Sequence, residues 1–291
     1  MNNIDIELVK KAVIKRDKSA NKGTFGSLLM ICGSYSMAGA GIMAAKGALR
    51  CGIGLLKTAV PKSIYPIFAS CVLESVYYPV DETPQGTFDK YQAPFLLEKA
   101  EESRAVLMGC GMQNNRDTYF IAKSFLEKSH VSVVLDADAI NAVSAEPELL
   151  KTAKVPVILT PHPGEMSRLT GLSIGEIQSN REAVAAEFAK EYGVYLVLKG
   201  EGTVVASPDG IALKNTTGNP GMATGGSGDV LAGMIGSLLA QNPQMPFECA
   251  CAGVYLHGLA GDIASSEKGV VSMLPTDLIE CIPKAFLKCN L

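Results

Sequence analysis

Six short runs rich in Val, Ile and Leu set the strongest limit on how this chain can fold: residues 27–32, 54–60, 105–109, 131–136, 156–160 and 194–199. Their apolar character is continuous rather than alternating, as in strands covered on both faces, and helical stretches lie between them to serve as crossovers. The pattern predicts an α/β chain with three α/β/α layers and a mainly parallel central sheet. Residues 203–207 and 211–213, joined across Pro208-Asp209-Gly210, read as a hairpin near one edge, because Asp-Gly suits a tight turn. The last third turns helical. Leu231, Met234, Ile235, Leu238 and Leu239 recur at the spacing of one helix face, which predicts a helix packed on the sheet, and residues 249–261 are apolar all round, as in a buried helix.

Composition agrees with such a core. The chain has 291 residues, 47% of them hydrophobic and 19% charged, and a chain of this size can bury roughly 75% of its unfolded surface. The 26 Lys and Arg against 29 Asp and Glu leave a net charge of −3, which favours neither nucleic acid nor an acidic membrane. The most linker-like segments, 79–88 and 241–246, are ordinary connections in length, so residues 1–291 read as one domain. No internal repeat marks a solenoid or array. The eight cysteines lie mostly in apolar runs without the two-residue gap of a zinc or redox motif, and read as buried thiols. Residues 1–19 lack the apolar stretch of a signal peptide, so a cytoplasmic protein is expected. The charge-free run 23–45 is broken by Ser34, Tyr35, Ser36 and several glycines and does not read as a membrane span.

In parallel sheets ligands bind beyond the carboxyl ends of the strands. The first apolar run leads into Gly33-Ser34-Tyr35-Ser36-Met37-Ala38-Gly39-Ala40-Gly41, a small-residue turn that lets either a ligand or the sheet approach closely; Gly109-Cys110-Gly111 does the same after the third. Asp136, Asp138 and Asn141 follow the fourth run, as metal ligands or as caps of the next helix. Pro161 and Pro163 hold His162 at the end of the fifth, with Glu165 three residues on, placed to organise phosphate and Mg²⁺ through water. His130 and His257 have no such setting and read as structural. The sixth run ends in Lys199-Gly200-Glu201-Gly202-Thr203, a charged, glycine-bearing turn suited to a nucleotide.

The strongest signal is Asn219-Pro220-Gly221-Met222-Ala223-Thr224-Gly225-Gly226-Ser227-Gly228-Asp229, leading directly into the helix expected from Val230. Glycines clear the approach, and the free N–H groups and positive dipole end of the helix make Gly226, Ser227 and Gly228 an anion hole. Asp229 beside an anion site is electrostatically unwelcome unless it takes a proton from a hydroxyl that attacks a phosphoryl group; its bland role is to stabilise the helix start. Neither a Walker loop nor a dinucleotide fingerprint is present.

Together, Lys22-Gly23-Thr24-Phe25-Gly26, the turn at 37–41, Asp136-Ala137-Asp138-Ala139-Ile140-Asn141, the segment 160–165, Lys199-Gly200-Glu201-Gly202-Thr203 and the segment 225–229 resemble, in order, the motifs of the ADP/ATP-dependent NAD(P)H-hydrate dehydratases of the ribokinase-like superfamily. The resemblance covers nearly the whole chain. It implies a nine- or ten-stranded ribokinase-like core and repair of NADHX and NADPHX, with Mg²⁺ and with ADP or ATP as phosphoryl donor. It places the hydrated cofactor against Ala40, Gly111, His162 and Asp229, the nucleotide against Lys199, Gly200, Glu201, Gly202, Thr203 and Gly228, and the catalytic base at Asp229. It further implies a homotetramer and a separate epimerase, which many relatives carry fused. Where relatives commonly show Gly-Pro-Gly followed by Leu-Gly, this chain has Gly109-Cys110-Gly111-Met112-Gln113. A ribokinase-like kinase of a vitamin precursor or sugar would share Asp229 and the cradle, and a nucleotide sensor would share the pocket alone.

Overall fold

The computed structural model describes residues 2–291. Among them, ten strands form one sheet: β1 (Asn2–Asn3), β2 (Ser27–Ile31), β3 (Leu55–Pro61), β4 (Ser75–Val80), β5 (Ala105–Met108), β6 (Ser132–Leu135), β7 (Val157–Leu159), β8 (Tyr195–Leu198), β9 (Val204–Ala206) and β10 (Ala212–Lys214). Their spatial order is β1-β10-β9-β8-β7-β6-β5-β2-β3-β4. All pairings from β8 to β4 are parallel. In the β9–β10 hairpin β9 pairs antiparallel with β8 and β10 antiparallel with β9, with Leu213 opposite Val205, and β1 closes that edge.

The six apolar runs are β2, β3, β5, β6, β7 and β8. Successive side chains of a strand point to opposite faces, so a continuous apolar run feeds two cores at once. Leu28, Met30, Leu107 and Val134 join one core with α1 (Ile6–Ala12), α2 (Ala38–Arg50) and three later helices, α10 (Ser227–Gln241), α11 (Pro246–Lys268) and α12 (Pro275–Lys288). Leu29, Ile31, Met108 and Leu135 join the other. That second face is covered by α4 (Ala93–Glu101), α5 (Arg116–Lys128), α6 (Ala137–Val143), α7 (Pro163–Thr170), α8 (Ile174–Ser179) and α9 (Arg181–Tyr192). Toward the β4 edge, α3 (Tyr65–Cys71) packs Phe68 on Val60.

Three expectations are corrected. Residues Pro79 and Val80, read as the start of a connection, complete β4, whose mixed sequence lacks the apolar run; as an edge strand it is partly exposed and tolerates a proline. The helix expected from Val230 begins at Ser227, so the predicted cradle is its first turn. It is also buried on every side from Val230 to Gln241 rather than on one face, because α2 and α11 flank it above the sheet. At its closest approach to α2, a Cβ on Gly233 would fall inside the van der Waals radius of the Ala44 carbonyl oxygen.

Seven of the cysteines are buried and Cys71 is exposed, none of them in a disulfide. An aromatic disulfide reagent should therefore find one fast thiol in the native protein, abolished by Cys71→Ser, and all eight in denaturant. More than one fast thiol in native protein would contradict the packing. None of the described helices is long and apolar enough to cross a membrane.

Candidate active site

The carboxyl ends of β2, β5, β6, β7 and β8 meet the N-terminus of α10. At α10, Gly226 occupies the N-cap with φ +104°, a conformation that L side chains rarely adopt, and no side chain caps the helix, although the Ser227 N–H already donates to the Thr224 carbonyl at 3.2 Å. From behind, the buried His257 donates from Nε2 to the Ser227 carbonyl at 2.9 Å. Burial pushes its pKa down to about 4, so the imidazole is neutral at physiological pH and adds no charge to the cradle. The structural reading of His257 holds, and His130 is exposed.

Asp229 lies in the first turn of α10, mostly buried. Burial first, and then the neighbouring Asp136, raise its pKa to about 6, against the opposing effects of the nearby Cys110 thiol and the charge of Lys199. A carboxylate so raised is a better proton acceptor and is still ionised near neutral pH.

Asp136 occupies the N-cap of α6 in extended conformation, yet its side chain makes no capping bond. Its Oδ1 accepts from Lys199 Nζ at 2.8 Å and from Thr160 Oγ1 at 2.6 Å, and its Oδ2 faces Cys110 Sγ at 3.5 Å. Asp138 accepts the Gln113 N–H at 2.8 Å, and Asn141 Oδ1 accepts from Arg168 at 2.9 Å. The capping alternative therefore fails for Asp136. Ligand-capable atoms of Cys110, Asp136 and Asp229 do lie within 4.8 Å of one another, but Lys199 already supplies the positive charge there.

Lys199 turns inward, away from the residues that follow it. Its ammonium stands 3.9 Å from Glu165 Oε2 and beside the backbone of Gly228, where a Cβ would lie 3.4 Å from Nζ. Burial works against its charge, but Asp136 and Glu165 outweigh that and hold its pKa above the usual range. The rest of the turn is outside: Thr203 Oγ1 bonds back to the Gly200 carbonyl at 2.9 Å, and Glu201 is exposed.

His162 is the N-cap of α7. Its Nδ1 accepts from the amides of Gly164 at 2.9 Å and Glu165 at 3.3 Å, while Glu165 Oε2 accepts the His162 N–H at 2.8 Å, forming a capping box. Accepting at Nδ1 leaves the proton on Nε2, and burial followed by Lys199 and Arg168 lowers the ring's pKa. The side chain is still 51% exposed, so a neutral Nε2–H donor remains available. Burial pushes Glu165 up to about 7, against the pull of Lys199.

On the side of β2, Gly111 packs on the start of α2: a Cβ there would lie 2.6 Å from the Met37 carbonyl oxygen and 3.0 Å from Ala40 Cβ. The two residues expected at the hydrated cofactor are therefore neighbours. Gln113, at φ +66°, ties this turn to Ser36 Oγ at 3.0 Å and Ser34 Oγ at 3.3 Å.

Comparison with known proteins agrees with this geometry. The profile of the NAD(P)H-hydrate dehydratase family matches residues 28–284. The chain belongs to this family. It is 40% identical over 269 residues to the bifunctional NAD(P)H-hydrate repair enzyme Nnr of Moorella thermoacetica, covering 92% of the chain but 51% of that relative. It therefore spans about half the length of the first relatives it matches. It is 38% identical over 262 residues to the ADP-dependent (S)-NAD(P)H-hydrate dehydratase of Neisseria meningitidis, covering 89% of the chain and 84% of that protein. Among solved structures, the ADP/ATP-dependent NAD(P)H-hydrate dehydratase of Bacillus subtilis, co-crystallised with ATP/Mg²⁺, superposes with a TM-score of 0.83 at 31% identity over 99% of this chain and 98% of that one. The NAD(P)H-hydrate dehydratase fold seen here is the expected ribokinase-like one.

Of the residues expected from sequence, Gly111 adjoins Ala40, and Asp229 follows the Gly226–Ser227–Gly228 turn beside Cys110 and Asp136; sequence reasoning missed Thr160 and the part played by Cys110. Cys110 was read as a buried thiol like the rest; the one signal that separates it is its place between two glycines at a strand end.

Proposed function

We propose that this chain dehydrates the S-epimer of NADHX and NADPHX, using ADP or ATP as phosphoryl donor and releasing AMP or ADP with inorganic phosphate. The observation that carries this reading is Asp229, a buried carboxylate with its pKa raised to about 6, set in the first turn of a helix that no side chain caps. The hydrated cofactor lies against Ala40, Gly111 and His162, with the neutral Nε2–H of His162 as a donor. The nucleotide lies along Lys199, Gly200, Glu201, Gly202, Thr203 and Gly228.

Asp229 takes the proton of the hydroxyl at C6 of the hydrated ring, and that oxygen attacks the terminal phosphoryl group of the donor, breaking its bond to the leaving phosphate oxygen. The Gly226, Ser227 and Gly228 amides stabilise charge on the moving group. Phosphate then departs with the C–O electron pair, pushed by the lone pair of the ring nitrogen, and loss of a proton from C5 restores the dihydronicotinamide. Mg²⁺ would neutralise charge on the phosphates when bound, and Glu165, whose two oxygens already face His162 and Lys199, would hold it through water. A cytoplasmic homotetramer served by a separate epimerase completes the reading.

Purified protein given NADHX, Mg²⁺ and either nucleotide should regain NADH absorbance, with one phosphate released per turnover and none without nucleotide. Accumulation of a stable phosphorylated product, or no nucleotide-dependent recovery in protein that binds ADP, would reject it. The nucleotide turn has its own test. Gly202 has φ +60°, so a β-branched Val there strains the turn itself as well as pushing into the flexible end of Lys214. Gly202→Val should weaken ADP binding by about tenfold, roughly 1.4 kcal/mol, with dinucleotide binding little changed, as read by calorimetry. Unaltered ADP affinity would remove the nucleotide from this turn.

A further inference from the structure

Four adjacent strands each deliver a polar side chain at the carboxyl edge: Lys199 after β8, Thr160 after β7, Asp136 after β6 and Cys110 after β5. They form a lateral row ending at Asp229 on α10. Both hydrogen bonds from Lys199 and Thr160 fall on Oδ1 of Asp136, at 2.8 and 2.6 Å, leaving Oδ2 turned toward Cys110 and Asp229. Asp136 is 1% exposed, so this orientation is enforced by packing.

The backbone beside it carries the same signature. Ala137 has φ +45°, a left-handed conformation that is costly for a residue with a Cβ. Asp136 meanwhile sits at an N-cap without using its carboxylate as a cap. The chain thus accepts local strain and forgoes a capping bond, and what it gains is the alignment of Asp136 between Lys199 and Asp229.

We propose that Asp136 is a positioning residue for the base: held by Lys199, Thr160 and the Cys110 thiol, it keeps a fixed negative charge against the Asp229 carboxylate, and so sets that carboxylate's aim and its affinity for a proton. The inference rests on the role given to Asp229 above. Its logic is that of charge placement. Were Lys199 paired with Asp229 itself, the base would be ionised but weak; pairing Lys199 with Asp136 neutralises the site while leaving Asp229 beside a like charge. The other groups facing Asp229 are Asp138, whose charge acts in the same direction as that of Asp136, and Lys199, which opposes it; His257, on α11 behind the cradle, is neutral.

The sign of the effect is testable. Asp229 acts in its ionised form, so kcat/KM should climb as pH rises through about 6 and level off above it. Asp136→Asn should move that limb, and the titration of Asp229, to lower pH by about one unit, while Cys110→Ala, which removes the donor to Asp136 Oδ2 and leaves that charge less shared beside Asp229, should move both to higher pH. The titration is read directly from carboxyl-¹³C-labelled aspartate, with the Asp229 signal assigned by its loss in Asp229→Asn. This measurement needs no turnover: expected shifts in an inactive protein would sink the proposed reaction and leave the positioning role standing. An unmoved Asp229 midpoint in Asp136→Asn, or shifts of both variants in the same direction, would overturn the inference. If Asp136→Asn fails to fold, the upward shift in Cys110→Ala decides, and its absence counts against the row.

Discussion

Asp229→Asn should lower turnover by at least about 10²-fold while leaving ADP affinity nearly unchanged. The substitution keeps the shape of the side chain, so the amides of Gly226, Ser227 and Gly228 stay in place, held from behind by the bond from His257 to the Ser227 carbonyl. What disappears is the acceptor for the hydroxyl proton. Initial rates of NADH recovery, with calorimetry for ADP on the same preparation, separate the two effects. Parallel losses of rate and nucleotide binding would make Asp229 a helix-start residue and nothing more.

Gly233→Ala should be strongly damaging for so small a substitution. The added Cβ would collide with the Ala44 carbonyl oxygen and approach its carbonyl carbon at 2.7 Å, so the obstacle is helix backbone and not a side chain that can turn aside. Overpacking of this kind costs about 3 kcal/mol, and Tm should fall by roughly 5 °C or more. Since α2 and α10 also carry Ala40 and Asp229, the activity left at low temperature should drop as well. A variant with wild-type Tm would mean that the helices separate easily.

The layers and the parallel sheet were legible because a strand buried on both faces has to be apolar at every position, as Leu28, Leu29, Met30 and Ile31 are. The strand β4 escaped notice for the converse reason: an edge strand with one partner has no such requirement, and Ser75, Tyr77 and Pro79 break the pattern. In the site, the cradle and its base could be read locally, because glycine, helix start and acid are consecutive in sequence. The row from Lys199 to Cys110 could not. Its members lie up to 89 residues apart (199 − 110) and become neighbours only through strand order. Asp136 looked like a metal ligand or a cap, and only the observed hydrogen bonds show that its partners are an ammonium, a hydroxyl and a thiol. His162 likewise stood out by its prolines, but that Nδ1 caps α7, leaving Nε2 to carry the proton, is a matter of backbone placement.

The cover of one sheet face by α10, α11 and α12 has a consequence for synthesis. Every strand precedes residue 227, while these three helices follow it. A ribosome that has released only the earlier part has therefore produced a complete set of strands with Leu28, Met30, Leu56, Leu107, Val134, Ile158 and Val197 lacking most of the partners they have in the finished fold. The tie from Gln241 to the Cys51 carbonyl, closed across 190 positions, cannot form until the chain is nearly finished. Long-range closure of this kind slows folding and leaves apolar surface open to other chains. Nascent chains halted before α10 should thus be strong clients of co-translational chaperones, and Asp229, the proposed base, enters the molecule with the very helix that ends this exposure.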